Sequence, residues 1–354
     1  MLSLLVINRH WAIIEVKCQD ISKYMDLITG KLSRVFNVTS VCLCLGAVFI
    51  QPLSAEPIAK SVNVIEQLGY KAQDKLLILH ADDVGLNAST NSAVKAAFEN
   101  GYINSASIMV PAPKFVDYAS YAKQNPQFDL GIHLTFTSEW PQMRWGGVLS
   151  KKEIPSLLNE QGYFYANTAD FVKHAKLDEV EKEITAQIER ALEAGIKPSH
   201  IDTHMAALFQ NADLFALYLK LARAYQLPAV ISLNFIAGNA QYMALLNEQD
   251  YGLDSYLFVT GNTAAKDWHQ AYDKLVVNTK PAQVSQVTFH LGYDDEDMIS
   301  TTGRDNDYGA KWRQRDMDYV SDPKLSKMLA EQGIKLISWR EIQQLKFPNN
   351  FSNK

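Results

Sequence analysis

Short apolar runs that end on imidazole or carboxylate side chains, separated by amphipathic helical patterns, constrain this chain more than any other feature. The runs are KLLILH (75–80), SASIMV (105–110), LGIHLTF (130–136), SHIDTH (199–204), PAVISL (228–233), VTFHL (287–291) and IKLISW (334–339). Several are continuously apolar, as strands buried on both faces of a parallel sheet require. Between them, LDEVEKEITAQIERALEAG puts Val180, Ile184, Ile188, Ala191 and Leu192 on one stripe. Asp178 and Glu181 give it a capping-box-like start and Gly195 a stop. Further helices are expected over about 90–100, from about 214 to a break at Pro228, and over DPKLSKMLAEQG before the last strand. Alternation of this kind means α/β architecture, and so many strands in one uninterrupted stretch favour a (β/α) barrel over an open sheet. The acidic stretch from Gly292 to Pro323 reads as a solvated or lid-forming loop. Its GRDNDYG lacks the alternating ligands and closing Glu of a calcium loop.

Composition narrows the function classes. The chain has 354 residues, 47% hydrophobic, with a formal net charge of -5, an ordinary globular balance. Without a Lys/Arg run it has no electrostatic footprint for nucleic acid. Cys18, Cys42 and Cys44 all lie near the N-terminus, so no disulfide or cysteine-based zinc site is expected downstream. Lys31 and Arg34 precede the apolar VTSVCLCLGAVFI (38–50), too short for a membrane span, and QPLSA follows with small residues before a cleavage point after Ala55. Residues 25–55 therefore read as a secretory signal beginning at Met25, with residues 1–24 upstream of it. A periplasmic or secreted protein is expected, with no stable membrane insertion once the signal is removed. The remaining boundaries are a lead-in at 56–73, one catalytic barrel domain at 74–345 and a C-terminal tail at 346–354.

Barrel enzymes build their sites at the C-terminal ends of the strands. There this chain has Asp82-Asp83 in HADDVG, His133, His200 and His204 in HIDTH, and His290 in FHLG. A single strand histidine is more often a hydrogen-bonded structural residue than a ligand, but strand ends of a barrel converge in space. Two or three imidazoles with a carboxylate suit a divalent cation such as zinc with one position left open. Such an ion lowers the pKa of its water to roughly 7, and a second carboxylate takes the proton. Two adjacent aspartates, one turned to the metal and one to the water, meet both needs. On a strand, Asp202 and His204 share a face with His200, so not all three need be ligands.

HADDVG, GIHL, KPSHIDTH and the FHLG strand end resemble, in order and spacing, the YdjC-like carbohydrate deacetylases, the family of the chitooligosaccharide and hopanoid deacetylases. The resemblance runs from about residue 74 to 345. It implies a distorted (β/α) barrel, one divalent metal ion (zinc or magnesium) and hydrolysis of an N-acetyl group from an amino sugar. By motif, Asp83, His133 and His204 would be the metal ligands and Asp82 the general base. His290 would be the acid for the leaving amine, and His200 and Asp202 would orient the ligands. The chain departs from the family at four places. MAALF follows His204 in place of further histidines, His80 replaces a common Asn, Leu291 replaces a Pro, and SEWPQMRWGG replaces a Gly-Pro turn after His133. Trp140, Arg144 and Trp145 in that last segment are expected to bind substrate, since aromatics beside a site stack on sugar faces. Two rival readings remain at this stage: a metal-dependent phosphoesterase and a non-catalytic carbohydrate-binding protein.

Overall fold

The computed structural model describes residues 64–304 and 306–348. The expected signal at 25–55 and the three cysteines lie outside the described residues. What is described belongs to one compact unit, 57–354.

The described residues form nine strands: β1 (Lys75–Val84), β2 (Ser105–Ile108), β3 (Leu130–Leu134), β4 (Ile201–Thr203), β5 (Ile231–Ser232), β6 (Gly252–Leu253), β7 (Ser255–Leu257), β8 (Gln283–Phe289) and β9 (Ile334–Leu336). All pairings between them are parallel, in the order β4-β3-β2-β1-β8-β7, with β9 against the start of β1. A bridge from Ile201 to Ala229 leads on towards the separate β5-β6 pair. The result is a curled parallel sheet wrapped by helices, a distorted (β/α) barrel, as the alternation of the sequence requires.

The longer helices are α1 (Ala88–Glu99), α2 (Phe115–Gln124), α3 (Thr168–His174), α4 (Leu177–Glu193), α5 (Ala212–Ala224), α6 (Trp268–Val277), α7 (Glu296–Thr302), α8 (Ala310–Ser321), α9 (Pro323–Glu331) and α10 (Trp339–Lys346). In α4 Val180, Ile184, Ile188 and Ala191 of the stripe expected from the sequence are fully buried, whereas Leu192, its fifth member, is exposed. Its start differs: the cap is Lys176 and no side chain caps it, Asp178 pairing with Lys182 and Glu181 with Lys220, while Glu179 and Glu183 turn inward to accept backbone N–H groups of Ser156, Val148 and Leu149. Asn87 caps α1, its side chain accepting from Thr90 N.

Alternation along β1 divides the interior. Leu77, Leu79 and Ala81 pack in the main core beneath the helices, whereas Leu76 and Ile78 face a second core with Val284, Leu253, Ile337 and Trp339. Continuing on that second face, the chain switches from apolar to polar: His80 reaches Ser105 and Ser107, and Asp82 follows it. On β8, Gln286 takes Trp339 Nε1–H and donates to Thr288. The barrel lumen is therefore oily at the N-terminal ends of its strands and hydrogen-bonded at the C-terminal ends.

One expectation is corrected. The stretch from 292 to 323 is not a solvated loop but carries α7 and α8, with Asp295 capping α7 by accepting Met298 N–H. Helix α8 buries Trp312, Arg313, Asp316, Met317, Tyr319 and Val320 on one face. Two charged members on that face hid its amphipathic pattern.

Candidate metal centre

Consecutive residues on a strand point to opposite faces, so Asp82 and Asp83 cannot both reach the lumen from a regular β1. The strand breaks its own rule there. Its register against β2 shifts between Ala81 and Val84, and Asp83 has φ 65°, left-handed backbone that Asp tolerates better than most residues. Gly85, at φ 94°, completes the turn. A second departure follows β4, where Met205 and Ala206 both have φ 51° and lead the chain away directly after His204. Residues held in such conformations cluster at functional sites.

Those two turns bring three donor atoms together. Asp83 Oδ1 lies 3.4 Å from His133 Nε2 and 3.2 Å from His204 Nδ1, and the two nitrogens are 3.2 Å apart. Three ligands on a tetrahedral zinc ion with bonds of roughly 2.0–2.1 Å stand about 3.3 Å from one another. Asp83 Oδ1 is buried and accepts no hydrogen bond, although Oδ2 is satisfied by Arg313 Nη2 at 2.7 Å. An orphaned carboxylate oxygen facing two imidazole nitrogens at ligand spacing fits a divalent cation, and the donor set is one such ions accept.

Each imidazole is held from its far side by another carboxylate. His133 Nδ1–H donates to Asp202 Oδ1 at 2.7 Å, and His204 Nε2–H donates to Glu139 at 3.1 and 3.2 Å. Carboxylates only accept, which fixes those hydrogens and turns His133 Nε2 and His204 Nδ1 toward Asp83. Asp202 Oδ2 in turn accepts from Ser107 Oγ at 2.8 Å and lies 3.3 Å from His80 Nε2.

With no ion between them, burial opposes charge on these side chains and neighbours of opposite charge counter it. Burial alone would raise Asp83, but Arg313 and the two imidazoles hold it well below the usual carboxylate range. Burial likewise opposes the His204 cation, but Glu139 and Asp83 bring its pKa up to about 9. His133 is pushed well upward against burial by Asp202 and Asp82, and His80 to about 9 by Asp202 and Asp82. Asp202, against burial, is lowered by His133 and His80.

His290, one residue past β8, behaves oppositely: burial brings it down to about 4, so its ring is neutral near pH 7. The ring packs against Trp312 at 4.6 Å, and its Nε2 lies 3.9 Å from Asp82 Oδ2. The backbone N–H of His290 donates to Asp316 Oδ2, and Trp268 and Tyr272 donate to Oδ1. Asp82, His133 and His290 form the floor of an open cleft of about 520 Å³, with Met205, Phe235 and Phe258 on its wall.

The structure thus brings together Asp82, Asp83, His133, Asp202, His204 and His290. His200 lies deeper, fully buried, its Nδ1 bonded to Ser199 Oγ and its ring between His80 and Trp339. Burial holds it neutral, and it touches neither His133 nor His204 through a hydrogen bond. Trp140, Arg144 and Trp145 are corrected as a sugar platform. Both tryptophans are buried in the main core, and Arg144 is bound to Ser138 Oγ and the Phe164 carbonyl; none lines the cleft. Packing in the core accounts for the two tryptophans, and hydrogen bonds within the segment for Arg144. The sequence reading missed Glu139 and Arg313. Glu139 stands within the segment whose aromatics drew attention, and Arg313 lay in the stretch taken for a loop.

Several known proteins resemble this chain. A carbohydrate deacetylase of Geobacillus stearothermophilus is 28% identical over 268 residues, 76% of this chain and 98% of that protein. One of Thermus thermophilus is 36% identical over 170 residues, 48% of this chain and 58% of its own length. Among solved structures, an Enterococcus faecalis protein described as a candidate cellobiose-phosphate cleavage protein superposes with a TM-score of 0.64 at 25% identity, covering 76% of this chain and 99% of its own. The family model for YdjC-like proteins matches residues 76–331. That span takes in every member of the buried cluster from His80 to Asp316, and the chain belongs to the YdjC-like protein family.

Proposed function

We propose that this protein is a metal-dependent hydrolase that removes an N-acetyl group from an amino sugar or oligosaccharide. The observation that carries the reading is the convergence of Asp83 Oδ1, His133 Nε2 and His204 Nδ1 at 3.2–3.4 Å, beside a carboxylate, Asp82, left over on the cleft floor. Deacetylase relatives over most of the chain support it. A divalent ion held by Asp83, His133 and His204 would supply a polarised acetamide carbonyl and a water acidified towards neutrality.

The chain's own residues do the rest. Asp82 takes a proton from the attacking water as the water oxygen bonds to the acetyl carbon. The C–N bond then breaks, acetate leaves with that oxygen, and the amine needs a proton. His290 lines the same cleft, its Nε2 3.9 Å from Asp82 Oδ2, and relays it. Burial that keeps His290 neutral at rest makes its protonated form a strong acid, suited to giving the proton up quickly. Arg313 neutralises one oxygen of Asp83 and leaves the other for the ion. Asp202 and Glu139 keep the two imidazoles aimed.

A phosphoesterase of the two-metal type needs a second centre about 3.5–4 Å from the first. Among the described residues the other possible ligand groups, His80/His200/Asp202 and Asp82/His133/Asp202, both take in Asp202, whose two oxygens already accept from His133 Nδ1–H and Ser107 Oγ–H. We therefore expect one metal per chain. We also propose export through the signal at 25–55, tested by N-terminal sequencing of the mature protein. Zinc- or magnesium-loaded protein should release acetate from members of a panel of N-acetylated mono- and oligosaccharides. No acetate from any of them refutes the function.

A further inference from the structure

We propose that Glu139 is a positioning residue for His204, and that the segment SEWPQMRW exists in this chain to hold it there. The proposal rests on the metal-centre reading above. Its basis is geometric. His204 has one ring nitrogen, Nδ1, facing Asp83 and His133, and the other, Nε2, pointing at both carboxylate oxygens of Glu139 at 3.1 and 3.2 Å. The chain leaves His204 through two consecutive left-handed residues, Met205 and Ala206, so the backbone alone gives its ring no regular strand or helix to lean on. Something else must set the ring angle.

Glu139 is itself braced on both sides. Before it, Ser138 is fully buried, its N–H donating to the Tyr165 carbonyl and its Oγ accepting from Trp145 N–H and Arg144 Nε–H. After it, Trp140 is buried in the main core. With residues 138 and 140 pinned, the Glu139 side chain projects to one place. The tryptophans and Arg144 thus serve the site at one remove, by anchoring a carboxylate. His133 receives the same support from Asp202, so the two imidazoles are steered by separate carboxylates from separate strand ends. Carboxylates in this position fix the tautomer and the orientation of a metal-binding imidazole and raise its basicity.

The test compares zinc affinity, by chelator competition on the full chain, among wild type, Glu139→Gln, Glu139→Met and Glu139→Ala. Glutamine still accepts from Nε2–H, whereas methionine keeps the length and offers only a weakly accepting sulfur. We expect the Ala and Met variants to bind zinc roughly 10–100-fold more weakly, and Gln to recover most of the loss. Visible bands of the cobalt-loaded Ala and Met variants should also differ from wild type at saturating cobalt, a change that loss of packing alone would not produce. Unchanged thermal melting of the metal-free variants keeps the comparison free of folding defects, and the Gln variant is the safeguard should Ala not fold. Met or Ala variants with wild-type affinity and spectra overturn the proposal, as does a Gln variant as weak as Met. A wild-type chain that binds no divalent cation refutes instead the metal-centre reading on which it rests.

Discussion

Asp82 and Asp83 are neighbours with different company. Asp83 is clasped by Arg313 on one oxygen and bare on the other, whereas Asp82 faces the cleft and stands between His80 and His290. Asp82→Asn should leave zinc affinity near wild type in chelator competition and lower kcat by roughly 10²–10⁴-fold, the usual worth of a general base. Equal loss of metal and turnover would move Asp82 into the ligand set. A second residue-scale test concerns Gly131. A Cβ there would come within 2.4 Å of the His200 ring, which is wedged between His80 and Trp339 and has no room to retreat. Gly131→Ala should cost about 1–3 kcal/mol in urea unfolding, as overpacked interiors do. A neutral result would mean that the His200 ring swings freely.

At the scale of elements, two pieces make the site: the irregular end of β1 and the helix α8. Arg313 reaches Asp83 from α8, and both side chains are buried. Removing one member of a buried pair leaves an uncompensated charge, so Arg313→Met should destabilise the metal-free protein by about 3–5 kcal/mol. Calorimetry of the metal-free variant checks this; an unchanged melting temperature would show that Asp83 is satisfied by other means. These two elements also mark how far the sequence could be read. Asp82, Asp83, His133, His204 and His290 were legible because each ends an apolar run, and the barrel makes such ends meet. Helix α8 was not, because its inward face mixes Arg313 and Asp316 with Trp312 and Met317 and so imitates a solvated segment. Glu139 was not, because its partner is 65 residues away and nothing local signals it. The tryptophans beside it were misread for a related reason: an aromatic near a site looks the same in sequence whether it stacks on substrate or on the core.

For the whole molecule, the buried cluster has a thermodynamic consequence. Asp83, Asp202 and Glu139 bring their negative charge to one end of the lumen, and a ligand that binds only the folded state stabilises it. Zinc at about 100 times its Kd should add roughly 2.7 kcal/mol, read as a higher melting temperature that a chelator reverses. The oily lower lumen around Leu76, Ile78 and Trp339 should keep the barrel folded without the ion, so the chelated protein should still melt cooperatively. A non-cooperative melt would make the metal part of the fold itself.

The proposed chemistry depends on where a single ion sits. Anomalous diffraction from zinc-loaded crystals measures this directly. One peak within roughly 2.0–2.2 Å of Asp83 Oδ1, His133 Nε2 and His204 Nδ1 is the expected result. A peak in the His80, His200 and Asp202 group instead, or a second peak beside the first, would contradict it.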